Sequence, residues 1–379
     1  LFIINYKTVY FLKKIFSPVI LTVSFFLLVY TFYKSEIINY GDQRDYYFTY
    51  YLISFLLIFF SIISFLINSK LKEYLIISTI TLIISLYSFE GYLALKETKI
   101  LPHKNHEKKQ DKKWDPRTKL EIYQDLKKIN NEIVVEVSPS SYLNKNQSIF
   151  PLSGISNSET IYCNENGYYS IYQSDKYGLN NPDYEWNENE IEYVLVGDSF
   201  THGACVNRPN DIASVLRNLS NKSVLNFGYG GNGPLIEYAT LREYLNKNVK
   251  KVIWIYYESN DFRDLYNEIG EKILMNYLDD LTFTQNLKFR QNEINNLALK
   301  AIKKKESDIK NENESETEYL KLKFIKFIKF IKIFRTRILI FPPPVPTMEF
   351  KKILQMTKDL TIKNNSKLYF IYLPHYTRY

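Results

Sequence analysis

The stretch Tyr193-Val-Leu-Val-Gly-Asp-Ser-Phe-Thr-His-Gly203 runs a strand-like apolar segment straight into Gly197-Asp198-Ser199 and on into a helical pattern. A hydroxyl at such a turn stands at the carboxyl edge of a parallel sheet, beside the positive end of a helix. There a nucleophile and the oxyanion it generates are both favoured. Two later strand ends supply partners: Val224-Leu-Asn-Phe227 leads into Gly228-Tyr-Gly-Gly-Asn-Gly233, and Val252-Ile-Trp-Ile-Tyr-Tyr257 leads into Glu258-Ser-Asn-Asp261. A backbone N–H from a glycine turn and an asparagine amide are the donors an oxyanion hole requires. The glycine block also matches the dinucleotide fingerprint, with Glu258 near where a ribose-binding acid would fall. That fingerprint serves the first strand of its domain, whereas a strand ending in Gly-Asp-Ser already precedes this one, so it is the lesser reading. A chance Gly-Asp-Ser would leave the ordered glycine and asparagine blocks unexplained.

The elements that must hold these turns follow from periodicity. Strands at 193–196, 223–227 and 251–257 alternate with helical stretches at 200–219 and 234–247, which predicts parallel βαβ units in an α/β domain spanning 191–379. A polar insertion at about 303–319 is Glu-, Lys- and Asn-rich and expected to be poorly ordered. Lys323, Lys326, Lys329 and Lys332 then recur every three residues among Phe and Ile. They read as an ordinary surface helix with snorkelling lysines in preference to a headgroup-binding face. Phe341-Pro-Pro-Pro-Val-Pro346 ends that helix; another follows to about Lys363, then a strand at Lys367–Leu373. Before the domain, residues 118–190 form a helix and a β-rich lead-in. Thr118 and Glu121 match a capping box for a helix to about Asn131, Ile133–Val137 reads as a strand, and 149–182 as short antiparallel strands.

Spans at 15–33, 46–68 and 74–95 are apolar and long enough to cross a bilayer, giving a transmembrane anchor over 1–95. Only Glu90 brings a charge into them, and it is expected at the membrane–water interface. Lys7, Lys13 and Lys14 precede the first span, and Lys70 and Lys72 fill the second loop, so the positive-inside rule puts both in the cytoplasm. Everything after Leu95 is then extracytoplasmic. Residues 96–117 are charged, contain Pro102 and Pro116, and read as a linker; its His103 and His106 are too few for a metal site.

Composition narrows the rest. A chain of 379 residues with 45 % hydrophobic content can build a full core, which excludes a wholly disordered chain. The net charge of +8 is dispersed and accompanies no nucleic-acid motif, so nucleic acid is not an expected partner. Cys163 and Cys205 are the only cysteines. Cys205 could be a reactive thiol, a core residue or half of a bridge, and the outer compartment favours a Cys163–Cys205 bridge. The chain opens on Leu1, so an incomplete start is expected.

On these blocks the sequence resembles the SGNH, or GDSL-like, hydrolase family. Gly197-Asp198-Ser199 is similar to its first block, Asn226–Gly233 to its glycine block and Ser259-Asn260-Asp261 to its asparagine block. Asp175-Lys-Tyr-Gly-Leu-Asn-Asn181 looks like the lead-in of envelope-associated members. The resemblance covers roughly residues 170–262 and implies a three-layer flavodoxin-like domain. It implies Ser199 as nucleophile, the N–H groups of Ser199 and Gly231 with the Asn260 amide as oxyanion donors, Asp198 and Asp261 in support, and no cofactor or metal. The expected substrates are esters, O-acetyl groups of envelope glycans among them, for an esterase or acyltransferase at the periplasmic face of a bacterial inner membrane. The family's Asp-x-x-His block does not occur, and truncation before a fifth strand is the expected account. His375 reads as a loop residue. His202, three residues after Ser199, is a lesser candidate for a substitute base.

Overall fold

The computed structural model describes residues 6–38, 41, 43–99, 114–145, 147–245, 248–310, 314–341 and 346–375. It comprises two units, Leu1–Asn105 with Ser315–Pro344, and His106–Glu314 with Val345–Tyr379. His103 and His106 lie outside the described residues.

The first unit begins with α1 (Tyr6–Phe32), α2 (Arg44–Leu66) and α3 (Ser69–Lys99), and a π-helical turn at Tyr33–Ile38 extends α1. The segments Tyr10–Ile38, Arg44–Leu66 and Ser69–Lys96 are long and apolar enough to cross a membrane. Their packing inverts that of a water-soluble bundle. Phe25, Phe26, Phe59 and Phe60 are exposed, whereas Ser17, Ser54, Ser61 and Ser64 are buried. Ser17 Oγ donates to the Ser64 carbonyl at 3.2 Å and Ser61 Oγ to the Ser17 carbonyl at 3.3 Å. Small polar residues let α1 and α2 approach closely and bond where no water competes, as lipid-embedded helices do.

The second unit opens with α4 (Lys119–Lys127), held by the Thr118–Glu121 capping box. The lead-in sheet is β1 (Val134–Val135), β2 (Glu159–Ile161) and β3 (Ile171–Gln173). It has less strand than the alternation predicts, and β1 runs parallel to β2; only β2 and β3 are antiparallel. Left-handed residues at Asn157, Gly167 and Gly178 interrupt the stretch 149–182 with turns and bends.

The larger sheet starts at β4 (Ile191–Gly197). Where one helix is expected over 200–219, the chain forms α5 (Ser199–His202) and α6 (Ile212–Ser220). Gly203 ends α5 in a left-handed conformation, and Asp211 restarts the helix by accepting the Ser214 N–H at 3.0 Å. β5 (Val224–Asn226), α7 (Pro234–Tyr244), β6 (Val249–Tyr257), α8 (Asp261–Glu268) and α9 (Lys272–Asp279) follow, then α10 (Gln291–Lys310). Residues 303–310, expected to be poorly ordered, are helical in α10. Glu and Lys avoid burial but are good helix formers, so composition alone misreads them.

The chain then contributes α11 (Glu314–Ile331) and α12 (Phe334–Ile340) to the first unit, where residues 315–344 belong, in place of the α/β domain expected to contain them. Glu90 is fully buried, which corrects its expected interfacial place. It accepts the Arg335 and Thr336 N–H groups at 3.2 and 2.9 Å, the Thr336 hydroxyl at 2.9 Å and the Arg335 guanidinium at 3.2 Å. Capping α12 satisfies the carboxylate that burial strips of water.

Returning to the second unit, α13 (Thr347–Lys363) leads into β7 (Lys367–Leu373). The sheet is parallel throughout, in the order β5-β4-β6-β7. Alternation along β4 serves both faces. Val194 and Val196 join Trp254, Leu235 and Ile353 in the main core, whereas Leu195 meets Ala213 and Val224 on the opposite face.

Candidate active site

β4 ends where only glycine fits. A Cβ on Gly197 would stand 2.1 Å from Thr201 Oγ1 and 2.6 Å from the Ile255 carbonyl oxygen. Asp198 then caps α5, its Oδ1 accepting the Phe200 N–H at 2.9 Å. Ser199 opens the helix half-buried, and its hydroxyl donates to Asp198 Oδ2 at 3.4 Å. From the end of β6, the Asn260 amide donates to the same Asp198 Oδ2 at 3.3 Å and to Asp264 Oδ2 at 2.8 Å. Two side chains distant in sequence thus meet on one carboxylate oxygen. Gly231, with φ of +76°, lines with Ser199 and Gly230 a cavity of about 600 Å³. Asp261 is fully buried, and its Oδ2 accepts the Tyr257 N–H at 2.7 Å, fixing the turn that presents Asn260.

Burial raises Asp198 above the usual carboxylate range, against the pull of the Phe200 N–H, the Asn260 amide and the Ser199 hydroxyl. Burial first, and the neighbouring Asp198 charge second, push Asp261 up to about 9. Asp261 therefore carries a proton at neutral pH. Its unfolded form ionises near pH 4, so its contribution to stability is complete below about pH 4 and is lost progressively as pH rises through about 9. Asp261→Asn removes that titration while leaving an oxygen to accept the Tyr257 N–H. The thermal unfolding midpoint of the full chain in detergent should then fall less between pH 5 and pH 8.5 than in the wild type; an equally steep fall would contradict the assignment.

His202 sits in an aromatic cluster. It is buried among Tyr162, Tyr172 and Tyr229, with ring centroids at 4.7, 4.9 and 5.1 Å, and its Nδ1 lies 3.2 Å from the Gly228 carbonyl oxygen. Burial pushes its pKa down to about 4. His375 follows β7, where its N–H donates to Glu258 Oε2 at 3.0 Å. Among the described residues, the hydrogen bond of the Ser199 hydroxyl goes to Asp198.

The lead-in completes the cavity with residues that sequence patterns do not single out. Lys119 Nζ lies 3.5 Å from Glu136 Oε2 and 5.4 Å from the centre of the Tyr162 ring, and all three line the cavity. Asp264 was open to a spacing argument, standing one helical turn after Asn260. Cys163 and Cys205 form a disulfide, Cα atoms 4.8 Å apart, which ties the segment after β2 to the loop after α5 and lines the same cavity. It closes a chain separation of 42 residues, so its removal should cost about 4 kcal/mol of stability. Unfolding midpoints of the wild type and of Cys163→Ser/Cys205→Ser should differ accordingly; equal midpoints would exclude the contribution.

Gly230 and Gly231 of the glycine block line this cavity, and the block's last glycine is held by a carboxylate. Glu268 is buried against the start of α7, accepting the N–H groups of Gly233, Leu235 and Ile236 at 2.5, 2.9 and 3.3 Å. Those are the donors a pyrophosphate would need, and a carboxylate already occupies them. Scans of protein-family models, of curated proteins and of solved structures find no match to the chain.

Proposed function

We propose that the protein is a membrane-anchored serine acyl-transfer enzyme of the SGNH type, an ester hydrolase or O-acyltransferase. The observation that carries this reading is the meeting of the Ser199 hydroxyl and the Asn260 amide on Asp198 Oδ2, at the carboxyl edge of a parallel sheet. The strand order β5-β4-β6-β7 supports it, because the domain's second, first, third and fourth strands lie in the order of a flavodoxin-type sheet. In the proposed reaction Ser199 Oγ attacks the ester carbonyl and loses its proton to a base. The oxyanion is met by the N–H groups of Ser199 and Gly231 and by the Asn260 amide as it leaves Asp198. The acyl–oxygen bond of the substrate breaks, its alcohol departs with a proton, and water or a sugar hydroxyl then takes the acyl group from Ser199. O-acetylated envelope glycans are the proposed substrates.

The disulfide supports an extracytoplasmic α/β domain, since such bonds persist in oxidising compartments. Together with the positive-inside rule it supports the outer face of a bacterial cytoplasmic membrane as the proposed location of the enzyme. The burial of His202 favours a second reading, a glycan-binding or assembly protein that keeps the architecture without a base. Incubating the full chain with an acetylated oligosaccharide distinguishes the two. An acetyl group recovered on the Ser199 peptide by mass spectrometry supports acyl transfer, and saturable binding with no acetyl-enzyme and no released acetate supports the second.

A further inference from the structure

Within the first unit, a groove of about 360 Å³ lies beside the last turn of α1 and the α11–α12 pair. Tyr30, Phe324 and Phe334 give it apolar walls, and Lys329, Lys332 and Arg337 supply three cations with no carboxylate among the lining residues. The cations gather over aromatic faces: Lys329 Nζ lies 5.2 Å and the Arg337 guanidinium 5.7 Å from the centre of the Phe334 ring, and Lys332 Nζ lies 6.0 Å from that of Tyr30. Arg337 Nε is buried without a hydrogen-bond partner among the described residues. Glu90, the carboxylate at the start of the same helix, is committed to Arg335 and Thr336.

Three like charges around one small groove repel each other, and a guanidinium N–H shut off from water without an acceptor costs free energy. A tetrahedral oxyanion relieves both, since a guanidinium fork and flanking ammonium groups match phosphate. The surroundings narrow the source of that phosphate. The groove belongs to the unit of membrane-spanning length, a tyrosine stands at its rim as at bilayer interfaces, and Phe324 and Phe327 leave apolar surface exposed beside it. We propose that this groove binds the phosphate headgroup of an anionic phospholipid, with an acyl chain lying along the exposed face of α11. This makes the lysine-bearing helix a lipid-binding element, where the sequence reads as an ordinary surface helix. The proposal is independent of the chemistry at Ser199.

The test uses the full chain in nanodiscs of phosphatidylcholine containing a minority of phosphatidylglycerol, with the lipid retained after gentle release read by native mass spectrometry. The wild type should retain phosphatidylglycerol in preference to phosphatidylcholine. Lys329→Gln/Lys332→Gln should reduce that preference about thirtyfold, at about 1 kcal/mol per cation. Lys326→Gln, on the same helix but outside the groove, should leave it unchanged. Equal retention by the wild type and the double variant, or an equal loss in Lys326→Gln, would overturn the site. Displacement of the lipid by millimolar inorganic phosphate would also overturn it, by showing a free-anion site. Both lysines are exposed, so the double variant should fold; if its unfolding midpoint drops, Lys332→Gln alone carries the comparison.

Discussion

Replacing Ser199 by Ala should abolish covalent labelling of the full chain by a serine-directed fluorophosphonate and lower any ester turnover by about 10⁴-fold or more. The expectation is large because the hydroxyl is the atom that would form the bond. Thr201, the nearest other hydroxyl on α5, is fully buried against the position of Gly197. The substitution removes one 3.4 Å hydrogen bond to Asp198 and leaves the cap on Phe200 intact, so the fold should persist. Labelling that survives in Ser199→Ala at the wild-type level would remove Ser199 from the chemistry.

Asn260→Ala should lower kcat by about 10² to 10³, the scale of one oxyanion-hole donor, with KM little changed. At rest the amide is divided between Asp198 and Asp264, so its transfer to an oxyanion exchanges one charge-assisted bond for another. That exchange places its effect in the transition state and not in substrate binding. The turn itself rests on Asp261 and the Tyr257 N–H, so circular dichroism should match the wild type. Asn260→Asp is the sharper control: it preserves shape but sets a carboxylate beside Asp198, and it should be at least as inactive. A kcat unchanged in Asn260→Ala would take the residue out of the site.

The parts of this molecule legible in sequence are those whose physics is local. Length and apolarity mark α1–α3, a capping box marks α4, and β4, β5 and β6 of the larger sheet announce themselves as apolar runs followed by glycine or asparagine turns. Ser199, Gly231 and Asn260 were therefore visible as turn residues at successive strand ends. What connects them was not. The sharing of Asp198 Oδ2 by Ser199 and Asn260, and the supply of Lys119, Glu136 and Tyr162 by the lead-in, depend on contacts between elements far apart along the chain. Glu90 and α11–α12 were misread for a related reason. A single glutamate near the end of an apolar span looks interfacial until the helix whose N-terminus it caps arrives from about residue 335. The aromatic cluster of Tyr162, Tyr172 and Tyr229 around His202 was likewise invisible, because its members come from three separate stretches of the chain.

The excursion of residues 315–344 into the first unit separates two strands that must pair. β6 lies beside β7 in a register that joins Lys251 to Lys367, and α10, α11, α12 and α13 are all made in between. During synthesis, β4, β5 and β6 can assemble while the outer edge of β6 is still bare. A long loop must then be closed before the last strand can dock, and such closure is slow and entropically costly. Seating α11 and α12 in the first unit would order the middle of that loop before β7 docks, and the strand that covers β6 is also the last of the four to be made.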